Sequence, residues 1–429
     1  MNKVLIVTYY WPPGSGAGVQ RWLKFSKYLP EFGWEPYILT VDPAYATYPA
    51  IDNTLQDEIS DKLKVIRTRA TDWFRIYRRD KSGIPSAGFA RNDKNGIKDK
   101  IIRFIRGNFF IPDPRRGWNK YAFTEACRII EEEQIKYIIT TSPPHSTQLT
   151  GLKLKKKYPG IRWIADLRDP WTDIYYYDHF HHTPIARVID RNYEIRVLGS
   201  ADRIIAVGRS LKELFSSKLP GIESRISVIT NGYDDDDFEG ISPVNPDEFT
   251  ISYIGTLSDS YPVSGFMDAA SILAGRGAQI RLKFTGTVSP GQKNTIISKS
   301  GNLSTEFSPY VSHGEAIKHM MESSVLLLII PDHHRNKSII TGKLFEYLAS
   351  GKPVFYIGPE DGDAAVIIRN ADAGLISGYD DKEKLENNIM TFFQNHNNNT
   401  PVTKNRDIER FSRKALSRQI AEVLNNLNT

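Results

Sequence analysis

Residues 338–358 read SIITGKLFEYLASGKPVFYIG, and the order of residue types in this stretch decides the fold. A loop ends in Thr341-Gly342, where a glycine lets the backbone approach a ligand and the threonine is expected to cap the helix that follows. The spacing predicts a helix over about 343–350: Leu344, Phe345 and Leu348 share its inner side, and Lys343 and Glu346 lie three residues apart on another face. Gly351 ends it, Lys352-Pro353 turns the chain, and Val354 to Ile357 is a β-branched and aromatic run expected as a buried strand. At the start of such a helix the unpaired amides, the positive end of the dipole and the Lys343 ammonium converge on one point, which suits a phosphate. Glu346, one turn on, is placed to accept hydrogen bonds from ribose hydroxyls.

The run GKLFEYLASGKPV resembles the nucleotide-sugar motif of the GT-B glycosyltransferases, in particular the large retaining family 4. Members of that family carry two glutamates eight residues apart before an A-x-G-x-P-V turn. Here the second is Glu346, and Ser338 stands in the place of the first, which in the family meets the donor sugar or lies against its reacting carbon. The resemblance implies nucleotide contact through Thr341, Gly342, Lys343 and Glu346, with Ser338 beside the sugar.

At 429 residues the chain is too long for one ordinary core, and two α/β domains are the natural expectation. A hydrophobic content of 40% and a charged content of 25% describe a globular protein, and no apolar run reaches the length of a membrane span. The N-terminal VLIVTYY run is too short for a signal peptide and stops at Pro12-Pro13 without a small-residue cleavage site, so it reads as a strand. One cysteine, Cys127, excludes an internal disulfide and agrees with a cytoplasmic location. A net charge of +6 invites a nucleic-acid reading, but the charge is concentrated. Between Trp73 and Trp118 there are twelve Lys or Arg and four Asp, a surplus larger than that of the whole chain, so the remainder is slightly acidic and no nucleic-acid partner is expected.

From the N-terminus, strand 4–10, the loop WPPGSGAGVQRW, a helix from about 19 to 32 and a strand near 36–40 form a βαβ opening. Its glycines follow G-x-G-x-G rather than the dinucleotide G-x-G-x-x-G. The family resemblance implies a loop that closes over donor and acceptor, with Gly16 in it and Gln20 or Arg21 at the helix start; a plain glycine turn is the alternative. Residues 97–110 can form an amphipathic helix with Ile101, Ile102, Phe104, Ile105 and Phe109 on an apolar side flanked by Lys98, Lys100, Arg103 and Arg106. Either it lies on an anionic bilayer, a peripheral contact made through 73–118 on the inner face of the cytoplasmic membrane, or its apolar side packs on the domain.

The strand near 136–141 ends in SPPHS, and a histidine in the loop after a parallel strand lies where α/β sheets bind ligands. His145 is therefore a candidate contact to donor sugar or acceptor, with a helix cap as the alternative. The next strand, 162–165, ends in DLRDPW, where Asp169 is the carboxylate favoured to face the site and an ion-pair role is the alternative. YYYDHFHHT lacks the spaced partners of a metal site and is expected as a loop near the acceptor. The patterns A-D-x-I-x-x-V-x-x-S and N-G-x-D match the family at 201–210 and 231–234. Asp234 to Asp237 contain D-x-D, but they follow N-G in a turn and are not read as a metal signature.

Residues 241–249, with two prolines, read as the linker. ISYIGTLSDS opens the second domain, and Gly255 closes its first strand. Where family members carry Arg and Lys on the diphosphate, Thr256 and Ser264 stand here, so Lys343, with Arg21 or Arg335, has to supply the positive charge. A last helix over 407–427, amphipathic through Phe411, Ala415, Ile420, Val423 and Leu424, is expected to cross back to the first domain.

The expected architecture is thus α/β of GT-B type: an acceptor-side Rossmann-like domain (1–240), a nucleotide-sugar-binding Rossmann-like domain (250–405) and a bracing helix (406–429). The resemblance implies transfer of a hexosyl group from a nucleotide sugar to a hydroxyl of a saccharide acceptor, lipid-linked in surface polysaccharide synthesis, with retention and without a metal or other cofactor. His145, Asp169 and Lys343 are the candidate catalytic residues. Two other readings use the same fold: a nucleotide-sugar 2-epimerase-like isomerase, and a non-catalytic partner subunit, which Ser338 and the absent Arg and Lys suggest.

Overall fold

A computed structural model of the chain describes residues 1–71, 73, 97–242, 244–404 and 406–427. The basic tract therefore lies partly outside the described residues, at 72 and 74–96. The chain forms two compact units, Met1–Thr230 with Arg413–Thr429, and Asn231–Ser412.

The first unit holds a seven-stranded parallel sheet. Its strands are β1 (Asn2–Val7), β2 (Trp34–Val41), β3 (Lys64–Thr68), β4 (Tyr137–Ser142), β5 (Arg162–Leu167), β6 (Arg203–Ala206) and β7 (Ile226–Val228), in the order β3-β2-β1-β4-β5-β6-β7. Val4 to Val7 are fully buried, as a continuous apolar run should be in a parallel strand covered on both faces. Side-chain alternation divides them between two layers. Val4 and Ile6 join Trp22, Leu23 and Phe25 of the helix Ala17–Tyr28, whereas Leu5 and Val7 join Ala122 and Ala126 of the helix Asn119–Glu133. The last helix, Arg413–Asn425, packs in the first of these layers through Leu416, Ile420 and Leu424.

That helix begins at Arg413 and not near 407. Residues Ile408–Phe411 form a separate 3-10 turn, Ser412 is extended, and Phe411 packs on Phe345 in the second unit at 5.3 Å between ring centroids. Phe411 thus belongs to a different core from the residues whose periodicity it continues.

The second unit has six parallel strands, β8 (Thr250–Ile254), β9 (Arg281–Thr285), β10 (Ser304–Ser308), β11 (Val325–Ile329), β12 (Val354–Ile357) and β13 (Gly374–Ser377), in the order β10-β9-β8-β11-β12-β13. Leu327 and Ile329 face the helices Ser264–Gly275 and Lys382–Asn397, and Leu326 and Leu328 face the helix Lys343–Ala349.

Each sheet starts in its middle and grows outward in both directions, so each has a switch point, at β1/β4 and at β8/β11, where open α/β sheets bind ligands beyond the strand ends. At the second switch point the strands part early. β8 and β11 are in register only at Ile251↔Val325 and Ser252↔Leu326, while β8 and β9 pair over five residues.

Candidate functional site

Where β8 and β11 part, the backbone of Ile254 needs other partners. Tyr347, from the helix Lys343–Ala349, supplies them: its hydroxyl accepts from Ile254 N at 3.1 Å and lies 3.4 Å from Ile254 O. Lys343 Nζ donates to the same carbonyl at 3.3 Å and stands 3.7 Å from the centroid of the Tyr253 ring. The next residue, Gly255, has φ +121°, and the Lys343 ammonium is 3.5 Å from where its Cβ would be. In the neighbouring loop a Cβ on Gly286 (φ +119°) would lie 2.3 Å from Gly255 O, so backbone meets backbone here and only glycine fits. Thr256 follows, half-buried, its carbonyl accepting from Tyr253 Oη at 2.6 Å.

Lys343 is half-buried, and among the described residues it forms no ion pair. Burial pushes its ammonium down to about 7, against which Glu346 pulls upward. A ring face and one carbonyl oxygen offset only part of the lost hydration. The helix has seven residues, so its dipole is short. Gly342 takes the N-cap position with φ −57° and ψ −39° and no side chain caps the helix, which corrects the capping role expected of Thr341. The Thr341 hydroxyl is buried and has no hydrogen-bond partner among the described residues. Ser338 sits half-buried in the turn before it, and Glu346 is half-buried one turn into the helix.

The first unit differs. Arg21 is fully buried, and its guanidinium donates to Asp166 from Nε at 3.2 Å and Nη2 at 3.0 Å, to Thr230 O at 2.7 Å and to Ile229 O at 3.0 Å. Asp166, equally buried, also accepts from Trp22 Nε1 and Thr141 Oγ1, both at 2.8 Å. Arg21 is thus a structural cation and not a ligand contact, which corrects the phosphate role expected of it. Gly16, at the N-cap of the helix Ala17–Tyr28, is exposed, with nothing within 4 Å of where a side chain would begin.

Near these strand ends, His145 stacks on Trp171 with ring centroids 4.8 Å apart and 15° between planes. It stands at the N-cap of the helix Ser146–Lys157 without capping it; Asp113 does so instead, accepting from Ser146 N and Oγ, both at 2.8 Å. Burial, with Lys218 and Arg168 nearby, pushes the His145 imidazole down to about 3, so it is neutral at physiological pH, and its buried Nδ1 has no partner among the described residues. Burial raises the Asp169 carboxyl above its ordinary value, and Arg168 opposes this. Arg168 donates to Ser142 O at 2.9 Å and to Pro143 O at 3.3 Å.

Two acids that sequence reasoning missed hold this region from beneath. Asp190 accepts from Trp171 Nε1 at 2.8 Å and Tyr177 Oη at 2.9 Å, and burial pushes its carboxyl up to about 6. Glu194 takes Lys218 and Thr172, both at 2.6 Å. Their spacing of four on the helix Pro184–Ser200 marked a shared face. Tyr253 and Tyr347 were also missed, because an aromatic in an apolar strand or helix looks like core.

The family model described as Glycosyltransferase Family 4 matches residues 18–237, just over half of the chain. HepE of Anabaena, solved with UDP-glucose, is similar in structure with a TM-score of 0.62 at 13% identity, covering 99% of both chains. The lipopolysaccharide outer core galactosyltransferase WaaB is similar with a TM-score of 0.59 at 13% identity over 100% of both chains. MnaA of S. aureus, solved with UDP, is similar with a TM-score of 0.53 at 12% identity, covering 100% of this chain and 97% of that one. At such identities the likeness shows the fold, which is the GT-B fold. No curated protein matches the chain in sequence.

Proposed function

The chain belongs to glycosyltransferase family 4, and from that premise we propose that it moves a hexosyl group from a nucleoside diphosphate sugar to a hydroxyl of a lipid-linked acceptor, with retention, in surface polysaccharide synthesis. The observation that carries the donor half is Lys343: a half-buried ammonium at a switch point, beside Gly255, held by a ring face and a carbonyl. Such a group favours an anionic ligand, because a phosphate restores the charge compensation that the fold withholds. As the bond between sugar and diphosphate breaks, negative charge grows on the leaving phosphate, and a fixed lysine stabilises it more in a water-poor site than in solution. Thr341 offers an unpartnered hydroxyl in the same loop, Glu346 suits ribose hydroxyls, and Gly255, Thr256, Gly342 and Ser338 line the donor.

On the acceptor side, His145 stays neutral and has a ring nitrogen for a hydroxyl, and Asp169, with its raised pKa, is the carboxyl suited to take the acceptor proton. Gly16 gives the loop over the site its freedom. Retention and independence of metal rest on family membership alone. UDP is the nucleotide to try first, since HepE was solved with UDP-glucose.

A thermal-shift series over nucleoside diphosphates and their sugars tests the reading. One nucleoside diphosphate should raise the melting temperature of the wild type and leave that of Lys343→Met nearly unmoved. If none raises it, the chain is better read as a non-catalytic partner subunit, a reading that Ser338 in the place of a donor-contacting glutamate also favours. Product formed from a sugar nucleotide without acceptor would instead favour the isomerase.

A further inference from the structure

We propose that the first unit docks on an anionic phospholipid surface through two neighbouring helices, Ile97–Phe109 and Pro184–Ser200. The helices are tied together at one end. Asn108 donates from Nδ2 to His181 O at 3.1 Å and accepts from Thr183 N at 2.7 Å, and Gly107 is so near the intervening turn that a Cβ would lie 2.5 Å from Phe180 O.

Both helices present large apolar side chains to solvent. On the first, Phe109 is 69% exposed, Ile101 52% and Phe104 41%; on the second, Ile185 is 74% exposed, Val188 59% and Ile189 39%. Single exposed apolar residues are ordinary, but Ile185, Val188 and Ile189 follow the i, i+3, i+4 spacing of one helix face, and Ile101, Phe104 and Phe109, at i, i+3 and i+8, fall on one side of the adjoining helix. No helix among the described residues is long and apolar enough to cross a membrane, so these side chains suit a surface contact.

The distribution of charge identifies the partner. On Pro184–Ser200 both carboxylates, Asp190 and Glu194, turn inward and are buried, whereas Arg187, Arg191 and Arg196 are all exposed. Arg187 is paired with Asp178 at 3.4 Å, but Arg191, Arg196 and Lys100 have no ion-pair partner among the described residues. Apolar side chains among unmatched cations fit acyl chains beneath anionic head groups. A second copy of the chain fits poorly, because a two-fold interface sets the same patch against itself and brings cation to cation. Arg106 is not part of this set: its guanidinium stacks over Phe180 at 4.2 Å.

The inference does not depend on the donor reading, and its test keeps the two apart. The full-length protein is sedimented with vesicles of phosphatidylcholine alone and of phosphatidylcholine mixed with phosphatidylglycerol, at low and high salt. The wild type should pellet with the mixed vesicles only, and less at high salt. Arg191→Glu with Arg196→Glu should weaken this binding by about tenfold or more, and Val188→Ser with Ile189→Ser should weaken it at both salt concentrations. Both variants should keep the wild-type melting temperature and UDP affinity, because the side chains replaced are on the surface. A wild type that stays in the supernatant, equal binding to neutral vesicles, or a stable dimer in light scattering that Val188→Glu dissociates would each overturn the proposal.

Discussion

Arg21 and Lys343 both stand early in a helix at a sheet's switch point, and their surroundings are opposite. The arginine has a buried carboxylate and two carbonyls as partners, and Asp166 is further satisfied by Trp22 and Thr141. The lysine has a tyrosine ring and one carbonyl, and the Glu346 carboxylate offsets only part of the effect of its burial. A cation at a strand end is therefore not by itself a ligand contact; what separates the two is whether the fold already matches the charge.

The largest effect should come from breaking the matched pair. Arg21→Met leaves Asp166 buried without its counter-ion, which typically costs about 3–5 kcal/mol, so denaturant unfolding should shift strongly while UDP affinity of the folded fraction holds. A large loss of nucleotide affinity at full stability would erase the distinction between the two cations. Lys343→Met should do the reverse: little or no loss of stability, and a loss of about 1.5–3 kcal/mol in UDP binding with a smaller loss for UMP, since its partner is phosphate charge. Glu346→Gln should cost about 1.5 kcal/mol for both nucleotides, because the proposed ribose contact is common to them. The smallest effect belongs to His145→Phe, which keeps the stacking on Trp171 and removes the ring nitrogens. Transfer should slow by about 0.5–1.5 kcal/mol in kcat/KM with UDP affinity unchanged.

How much of this was legible in the sequence follows the range of the forces involved. The helix Lys343–Ala349 and the strand Val354–Ile357 were readable nearly to the residue, because apolar spacing and a β-branched run are local signals. Arg21 was misassigned because its partner Asp166 lies 145 residues away, and nothing local distinguishes a cation matched at that range from a free one. Phe411 continues the periodicity of the last helix, yet the chain straightens at Ser412 and sends it to another core. The Thr341 cap failed because helical geometry already includes Gly342 at the boundary position. Asp190 and Glu194 could have been found, since acids four apart on a helix whose arginines take the other face mark an inward polar contact.

The central claim is that Lys343 is the cation kept for a phosphate, and proton linkage tests it directly. Its pKa is about 7 without ligand, lowered from 10.5, and a diphosphate beside it must raise that value. Binding near or above neutral pH should then take up protons, and affinity should fall as pH rises above about 7. Calorimetry of UDP binding in buffers of different ionisation enthalpy, slightly above neutral pH, should report net proton uptake in the wild type and much less in Lys343→Met. Equal proton uptake in the two proteins, with equal affinity, would contradict the account.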